Sequence, residues 1–190
     1  MLLIYRKKAA RAAFFFADSK RIVMPLNIVW QTVASGETLA VSVPLLDAEL
    51  KLTLVGEVVI DSSWHIGVDS TEALSPLAAQ VRRYLLDPAG TELNVTLLSQ
   101  GSAYSNAVWK ALLAIPVGQA QTYSGLARML SSGPRAVAGA CRNNPYAGII
   151  PCHRVVAKNG IGGFMGQADG EFVEFKRRLL EYERKVSLAG

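Results

Sequence analysis

The chain of 190 residues holds only two cysteines, Cys141 and Cys152, and two histidines, His65 and His153. Two cysteines cannot build a disulfide framework, which points to a reducing compartment where a thiol stays free. Donors this few, in none of the usual zinc-ligand spacings, leave no metal site to propose. No apolar run approaches the roughly 20 residues that a membrane helix needs, so no membrane partner is expected. The opening "MLLIYRKKAARAAFFFA" sets basic residues before apolar ones, as a secretory leader does. However, Arg11 divides the apolar part and Asp18 stands where a small-residue cleavage site would fall, so no leader is expected.

Acidic residues are also missing, and in one place only. None occurs in residues 93–168, a 76-residue span that carries Lys110, Arg128, Arg135, Arg142, Arg154 and Lys158. Residues 1–100 hold nine Lys/Arg against ten Asp/Glu, a net −1, whereas residues 101–190 hold eleven against five, a net +6. A basic region free of acids repels no polyanion, and nucleic acid is the obvious one; a solvated basic surface is the plain alternative. Hydrophobic residues make up 51% of the chain, which excludes disorder, and the length suits one domain or two small ones.

What is present divides into two styles. "ETLAVSV" and "ELKLTLVGEVVI" are β-rich, with partial period-two alternation and a turn-like "PLLDA" between them. "SPLAAQVRRYLLDPAG" predicts a short helix with Ser75 as cap, Pro76 in its first turn, and Pro88 and Gly90 closing it. "TELNVTLLSQGS" reads as an extended connection and places the domain boundary after residue 96, giving domains 1–96 and 97–190.

Beyond it the periodicity is helical. "YSNAVWKALLAI" sets Ala107, Val108, Ala111, Leu112 and Ile115 on one face. "TYSGLARML" starts at a Thr122 cap, "SSG" breaks it, and "PRAVAGACRNN" restarts with Pro134 in the first-turn position. Two short helices joined by a glycine-containing turn suggest a helix-turn-helix. Its second helix opens with Arg135 and is built from Ala136, Ala138, Gly139 and Ala140, which suits close approach to a surface, whether DNA or the first helix. "KNGIGGFMGQADG" has five glycines in residues 160–170 but lacks a phosphate-loop ending, so it serves better to bring backbone near a flat ligand. "EFVEFKRRLLEYERK" is amphipathic, with Phe172, Phe175, Leu179 and Tyr182 along one stripe.

The chemistry concentrates in "IIPCHRVV", residues 149–156. A cysteine attacks as thiolate, and at its ordinary pKa of about 8.5 only a few per cent is ionised near neutrality, so a base must help. His153 adjoins Cys152, but neighbours on a strand face opposite ways. The two cooperate only if the backbone turns or a water bridges them, and Pro151 favours a turn. Glu181 or Glu183 can supply a carboxylate for the imidazole. A buried structural cysteine is the plain alternative for Cys152, packing for Cys141, and a structural role for His65 beside Trp64.

Taken together, "VWKALLAIPVGQAQTYSGLA", "RAVAGACRNNP", "IIPCHRVV", "GIGGFMG" and "KRRLLEYE" resemble the O6-alkylguanine-DNA alkyltransferases over about residues 102–183. The resemblance implies an α+β fold: an N-terminal RNase H-like β-sheet domain and a C-terminal, mainly helical alkyltransferase domain with a helix-turn-helix. It implies a monomer, without cofactor, that binds double-stranded DNA containing O6-alkylguanine, and an enzyme of the cytoplasm, or of the nucleus in a eukaryote. It would move the alkyl group, from O4-alkylthymine as well, once and for all to its own Cys152. By the same resemblance His153 is the base, acting through a water, Glu183 holds His153, and Asn144 fixes the turn before the nucleophile. Tyr123 crowds the phosphate, rotates the nucleotide outward and donates a proton to the departing guanine. Arg135 fills the gap in the base stack, with Ala136, Gly139, Ala140 and Arg142 also facing DNA in the minor groove. The Val155 carbonyl and Phe164, Met165 and Gly166 line the guanine pocket. The short "SSGP" turn and "GGFMGQ" depart from the family pattern, and the latter bears on lesion preference. A non-enzymatic DNA-binding or lesion-sensing protein, and a Cys-His hydrolase, are the competing classes.

Overall fold

The computed structural model describes residues 26–68 and 75–189. The leader-like segment at the start of the chain lies outside the described residues. In chain order the elements are β1 (Leu26–Gln31), β2 (Thr38–Leu45), β3 (Ala48–Val55), β4 (Val58–Ile66), α1 (Pro76–Leu86) and β5 (Leu93–Leu98). There follow α2 (Ala103–Leu113), β6 (Gln121–Thr122), α3 (Tyr123–Met129), α4 (Pro134–Arg142), a 3-10 turn (Cys152–Arg154), β7 (Val155–Val156) and α5 (Glu171–Ala189). The described residues form two compact units. The sheet unit takes 26–68, 75–100, 145–149 and 185–189; the helical unit takes 101–144 and 150–184. The boundary expected after residue 96 would fall inside β5, and the units part at 100/101.

In the sheet unit the strand order is β1-β5-β4-β3-β2. The β2-β3-β4 meander is antiparallel, and β5 runs parallel to both its neighbours. Alternation explains the meander: Val41, Val43, Leu50, Leu52 and Trp64 are buried while Lys51, Asp61 and His65 point to the open face. "ELKLTLVGEVVI" is thus two strands, folded back at Gly56-Glu57. The turn expected at "PLLDA" narrows to Leu46-Asp47, because β2 is an edge strand and tolerates Pro44 where a central strand would not. "TELNVTLLSQGS" is no mere connection. Leu93, Val95 and Leu97 are buried in β5, whose burial on this face draws it between β1 and β4. Helix α1 packs on β2 and β5 through Ala78, Val81, Tyr84 and Leu85. Ser75 occupies its cap position without making a side-chain cap bond. Residues 145–149 belong here: Ser62 donates from its N–H to Pro145 O and from Oγ to Ala147 O, at 2.7 and 2.8 Å.

The helical unit follows its sequence signals closely. Ser102 caps α2 by accepting from Ser105 N–H, and Thr122 caps α3 by accepting from Gly125 N–H. Pro134 lies in the first turn of α4. Helices α3 and α4, joined through residues 130–133, are the predicted helical pair. Val108, Leu112 and Ile115 are fully buried, each worth about 1.5–3 kcal/mol against exposure. Trp109 adds a hydrogen bond, its Nε1–H donating to Ala140 O at 2.9 Å, which ties α2 to α4. Along α5 the buried side chains are Val173, Phe175, Lys176, Leu179 and Glu183. Phe172 and Tyr182 are only half-buried, so the stripe turns toward two charged residues that periodicity alone assigns to solvent.

Candidate active site

Residues 147–150 are turn and bend, not strand, Pro151 follows with φ −79° and ψ 65°, and Cys152–Arg154 form one 3-10 turn before β7 pairs with β6. The strand objection to Cys-His cooperation therefore lapses, because neighbours in such a turn no longer alternate between opposite faces. Cys152 is only 7% exposed, yet it lines a cavity of about 400 Å³. That volume is ample for a small planar ligand. Tyr123 at the start of α3, Gly139 on α4, Asn144, and Phe164 with Met165 from the glycine loop line it too.

Three buried side chains behind the cysteine form one network. His153 Nε2 lies 2.8 Å from Glu183 Oε1, and a carboxylate only accepts, so Nε2 carries the proton. Arg154 donates from Nε to Glu183 Oε2 and from a terminal N–H to Oε1, each at 2.8 Å. Its other terminal N–H donates to Ile115 O at 2.8 Å, anchoring the network to the end of α2. Burial alone would raise the Glu183 pKa, but His153 and Arg154 together outweigh it and hold the carboxyl well below its usual range. Burial lowers the His153 pKa, with the Arg154 charge offsetting part of the pull from Glu183. The imidazole is therefore neutral, and its Nδ1 is buried with no hydrogen-bond partner among the described residues. Glu181, the other candidate carboxylate, is exposed on α5.

Burial likewise raises the Cys152 thiol pKa, opposed by a hydrogen bond with Asn144 and by the charge of Lys176. At rest the site holds a neutral thiol beside a neutral base, able to ionise once a proton acceptor engages. Asn144 also donates from Nδ2 to Ile150 O at 2.9 Å, so one amide braces the chain on the near side of the nucleophile. Cys141, read as packing, is buried in α4 but shares the cavity wall; burial raises its thiol pKa strongly. Burial raises the Tyr123 phenol as well, keeping it a proton donor.

The glycine loop supplies the opposite wall. Phe164 and Gln167 exchange backbone hydrogen bonds at 2.9 Å, with Met165 (φ 47°) and Gly166 (φ 82°) both left-handed between them. A Cβ at Gly163 would come within 2.6 Å of Gln167 O, so the tight turn needs that glycine.

Not every expected site residue meets the cavity. Arg135, Gly139 and Arg142 line it, with Arg135 and Arg142 exposed to solvent. Ala136 is exposed but not in the wall, whereas Ala140 is buried, with its carbonyl bound by Trp109. Ala140 is small because α2 packs there, a correction to its placement on the DNA-facing side. Val155 is fully buried and not among the residues lining the cavity, and its carbonyl accepts from Lys176 Nζ at 2.6 Å. Sequence reading missed Lys176 and gave no role to Arg154, since a charge within an amphipathic or β-branched run looks like surface until its partners are known. His65 is exposed, 3.2 Å from Ser63 Oγ, and Trp64 is core. Among the described residues no group of three or more His, Cys, Asp or Glu could hold a metal ion, and no helix is long and apolar enough to cross a membrane.

Residues 103–185 match a family model described as 6-O-methylguanine DNA methyltransferase, DNA binding domain. A methylated-DNA–protein-cysteine methyltransferase of Archaeoglobus fulgidus is 36% identical over 110 residues, which cover 57% of this chain and 74% of that protein. One from Saccharolobus solfataricus is 47% identical over 76 residues, covering 40% of this chain and 47% of that protein. The chain thus spans about half the length of the latter, and 60% of a mimiviral relative. Among solved structures, Mycobacterium tuberculosis OGT in complex with DNA is 30% identical with a TM-score of 0.59, covering 76% of this chain and 92% of that one.

Proposed function

Since the chain belongs to the methylated-DNA–protein-cysteine methyltransferase family, we propose that it repairs duplex DNA by moving the alkyl group of O6-alkylguanine to its own Cys152. One observation carries this reading: Cys152, although buried, borders a cavity that also touches Arg135 and Gly139 of α4. A nucleophile so enclosed reaches only a base that leaves the stack. Flipping costs a few kcal/mol, least for a weakened pair. Arg135, exposed at the start of α4, fills the gap; Tyr123, at the start of α3, crowds the phosphate and turns the nucleotide outward.

Within the cavity His153 Nδ1 takes the thiol proton through a water, and Glu183 steadies the imidazolium that forms. Sγ then attacks the alkyl carbon in line, the S–C bond forms as the C–O6 bond breaks, and Tyr123 protonates the departing guanine. The His153 imidazolium then gives its proton to solvent and the Tyr123 phenolate regains one, so that in balance S–H and O–C bonds are exchanged for S–C and guanine N–H. Nothing in the site hydrolyses a thioether, so each molecule acts once. O4-alkylthymine is a second substrate on this reading, and the protein acts as a monomer in a reducing compartment, the cytoplasm or a eukaryotic nucleus.

Intact-protein mass spectrometry after incubation with a methylated duplex is the direct test. One methyl group per molecule, mapped to the Cys152 peptide, is expected. An unmodified thiol, or multiple turnovers, would refute the mechanism.

A further inference from the structure

The hydroxyls of Tyr104 and Ser132 lie 2.7 Å apart although 28 positions separate them in the chain, and nothing in the chemistry above uses the pair. Both side chains are half-buried. Tyr104 stands in the first turn of α2, a helix fixed in the core by Val108, Trp109 and Leu112. Ser132 stands in the turn between α3 and α4, two positions before Pro134 opens α4. The bond therefore runs from a rigid helix to the entry of the helix that bears Arg135.

Helix α4 is anchored unevenly. Further along it Val137, Ala140 and Cys141 are buried, and Trp109 binds the Ala140 carbonyl. Its first residues, Pro134, Arg135 and Ala136, are exposed. The usual local fastening is missing at this end. Gly133 holds the cap position without a side chain to bond the first-turn N–H groups, and a Cβ there would meet no heavy atom within 4 Å. Room for a capping side chain exists and goes unfilled. Backbone bonds hold the turn on its α3 side, with Ser132 N–H donating to Ala127 O at 2.8 Å and Ser131 N–H to Arg128 O at 3.2 Å. Ser131 between them is left-handed (φ 51°), which a residue with a side chain resists unless its surroundings hold it. Tyr104 is the group that ties the α4 side of this turn to α2.

We propose that Tyr104 is a positioning residue: through Ser132 it sets the direction in which α4 leaves the turn, and so where Arg135 stands against duplex DNA. A tilt at this end of α4 moves Arg135 but leaves Cys152, His153 and Glu183, which stand on other elements. The assignment deepens the transferase reading and rests on it for the reaction, though not for duplex binding.

The test follows single-turnover alkyl transfer by the full chain from methylated duplex and from free O6-benzylguanine. Tyr104→Phe removes one oxygen; transfer from duplex should slow about three- to tenfold, the worth of one hydrogen bond, while the free base reacts within about twofold of wild type. Ser132→Ala should show the same split, and the double variant should be no worse than either single one, since both remove the same bond. In an Arg135→Ala background, Tyr104→Phe should cost nothing further. An unchanged duplex rate, equal losses on both substrates, or a full extra loss without Arg135 overturns the assignment, because a merely structural bond neither distinguishes substrates nor depends on Arg135. Should circular dichroism show that Tyr104→Phe fails to fold, Ser132→Ala decides by the same split. A wild-type chain that takes no alkyl group from either substrate would sink the transferase reading. Tyr104 is then judged by fluorescence anisotropy with duplex: weaker binding in Tyr104→Phe supports its role, and unchanged binding overturns it.

Discussion

A single carboxylate oxygen, Glu183 Oε1, serves both His153 and Arg154. The carboxylate pulls the imidazole's pKa up; burial opposes this most, and the charge of Arg154, permanently present, offsets a further part of the pull. Removing it should raise the pKa of His153, so that the acid limb of alkyl transfer moves to higher pH by about one unit in Arg154→Met and less in Arg154→Lys. Rate–pH profiles with methylated duplex would check this, and a shift toward lower pH would contradict the balance described. Breaking a buried ion pair from one side also costs about 3–5 kcal/mol, so stability should fall alongside, as measured by urea unfolding.

Among the elements, α4 is the most informative. A Cβ built at Gly139 meets no heavy atom within 4 Å, so nothing inside the fold requires glycine there. Gly139→Ala should leave the free protein as stable or more so, by about 0.5–1 kcal/mol, since glycine is a poor helix former. It should nevertheless weaken duplex binding several-fold, measured by fluorescence anisotropy; unchanged binding would mean that DNA does not approach this face. Arg135→Ala should impair repair of duplex far more than reaction with free O6-benzylguanine, which needs no flipping, and equal losses would remove the finger role. How much of this the sequence displays varies by element. The apolar face of "YSNAVWKALLAI", the Thr122 cap and Pro134 are local signals, so α2, α3 and α4 were readable, as was Cys152-His153 with a carboxylate from Glu181 or Glu183. Strand β5 was not, because a central strand's identity depends on neighbours 30 or more positions away, such as Val59 opposite Leu97. Lys176 and Arg154 escaped for a related reason: only tertiary partners distinguish a buried charge from a solvated one.

Across the whole molecule, charge governs two behaviours. If about four phosphates are neutralised, log K for duplex should fall against log salt with a slope of about −4. A slope near zero would discard the acid-free span as the electrostatic footprint. Acid should also unfold the protein. Both Glu183 and His153 have folded pKa values below their ordinary ones of 4.5 and 6.5. The unfolded chain therefore binds more protons as pH drops. The stability these groups contribute is present above those ordinary values, and is lost from about pH 6.5 downward for His153 and from about pH 4.5 for Glu183. Urea midpoints across that range should decline, and Glu183→Gln should flatten the lower part of the curve.

The route of the backbone has its own consequence. It passes from one unit to the other at 100/101, 144/145, 149/150 and 184/185. No single proteolytic nick or stop codon can release a finished catalytic half. A fragment starting at Gly101 would carry Pro145 and Ala147 without Ser62, the residue that satisfies their carbonyls. Mixing two separately expressed pieces, cut at 100/101, is then the way to recover a working protein, and activity should return only in the mixture.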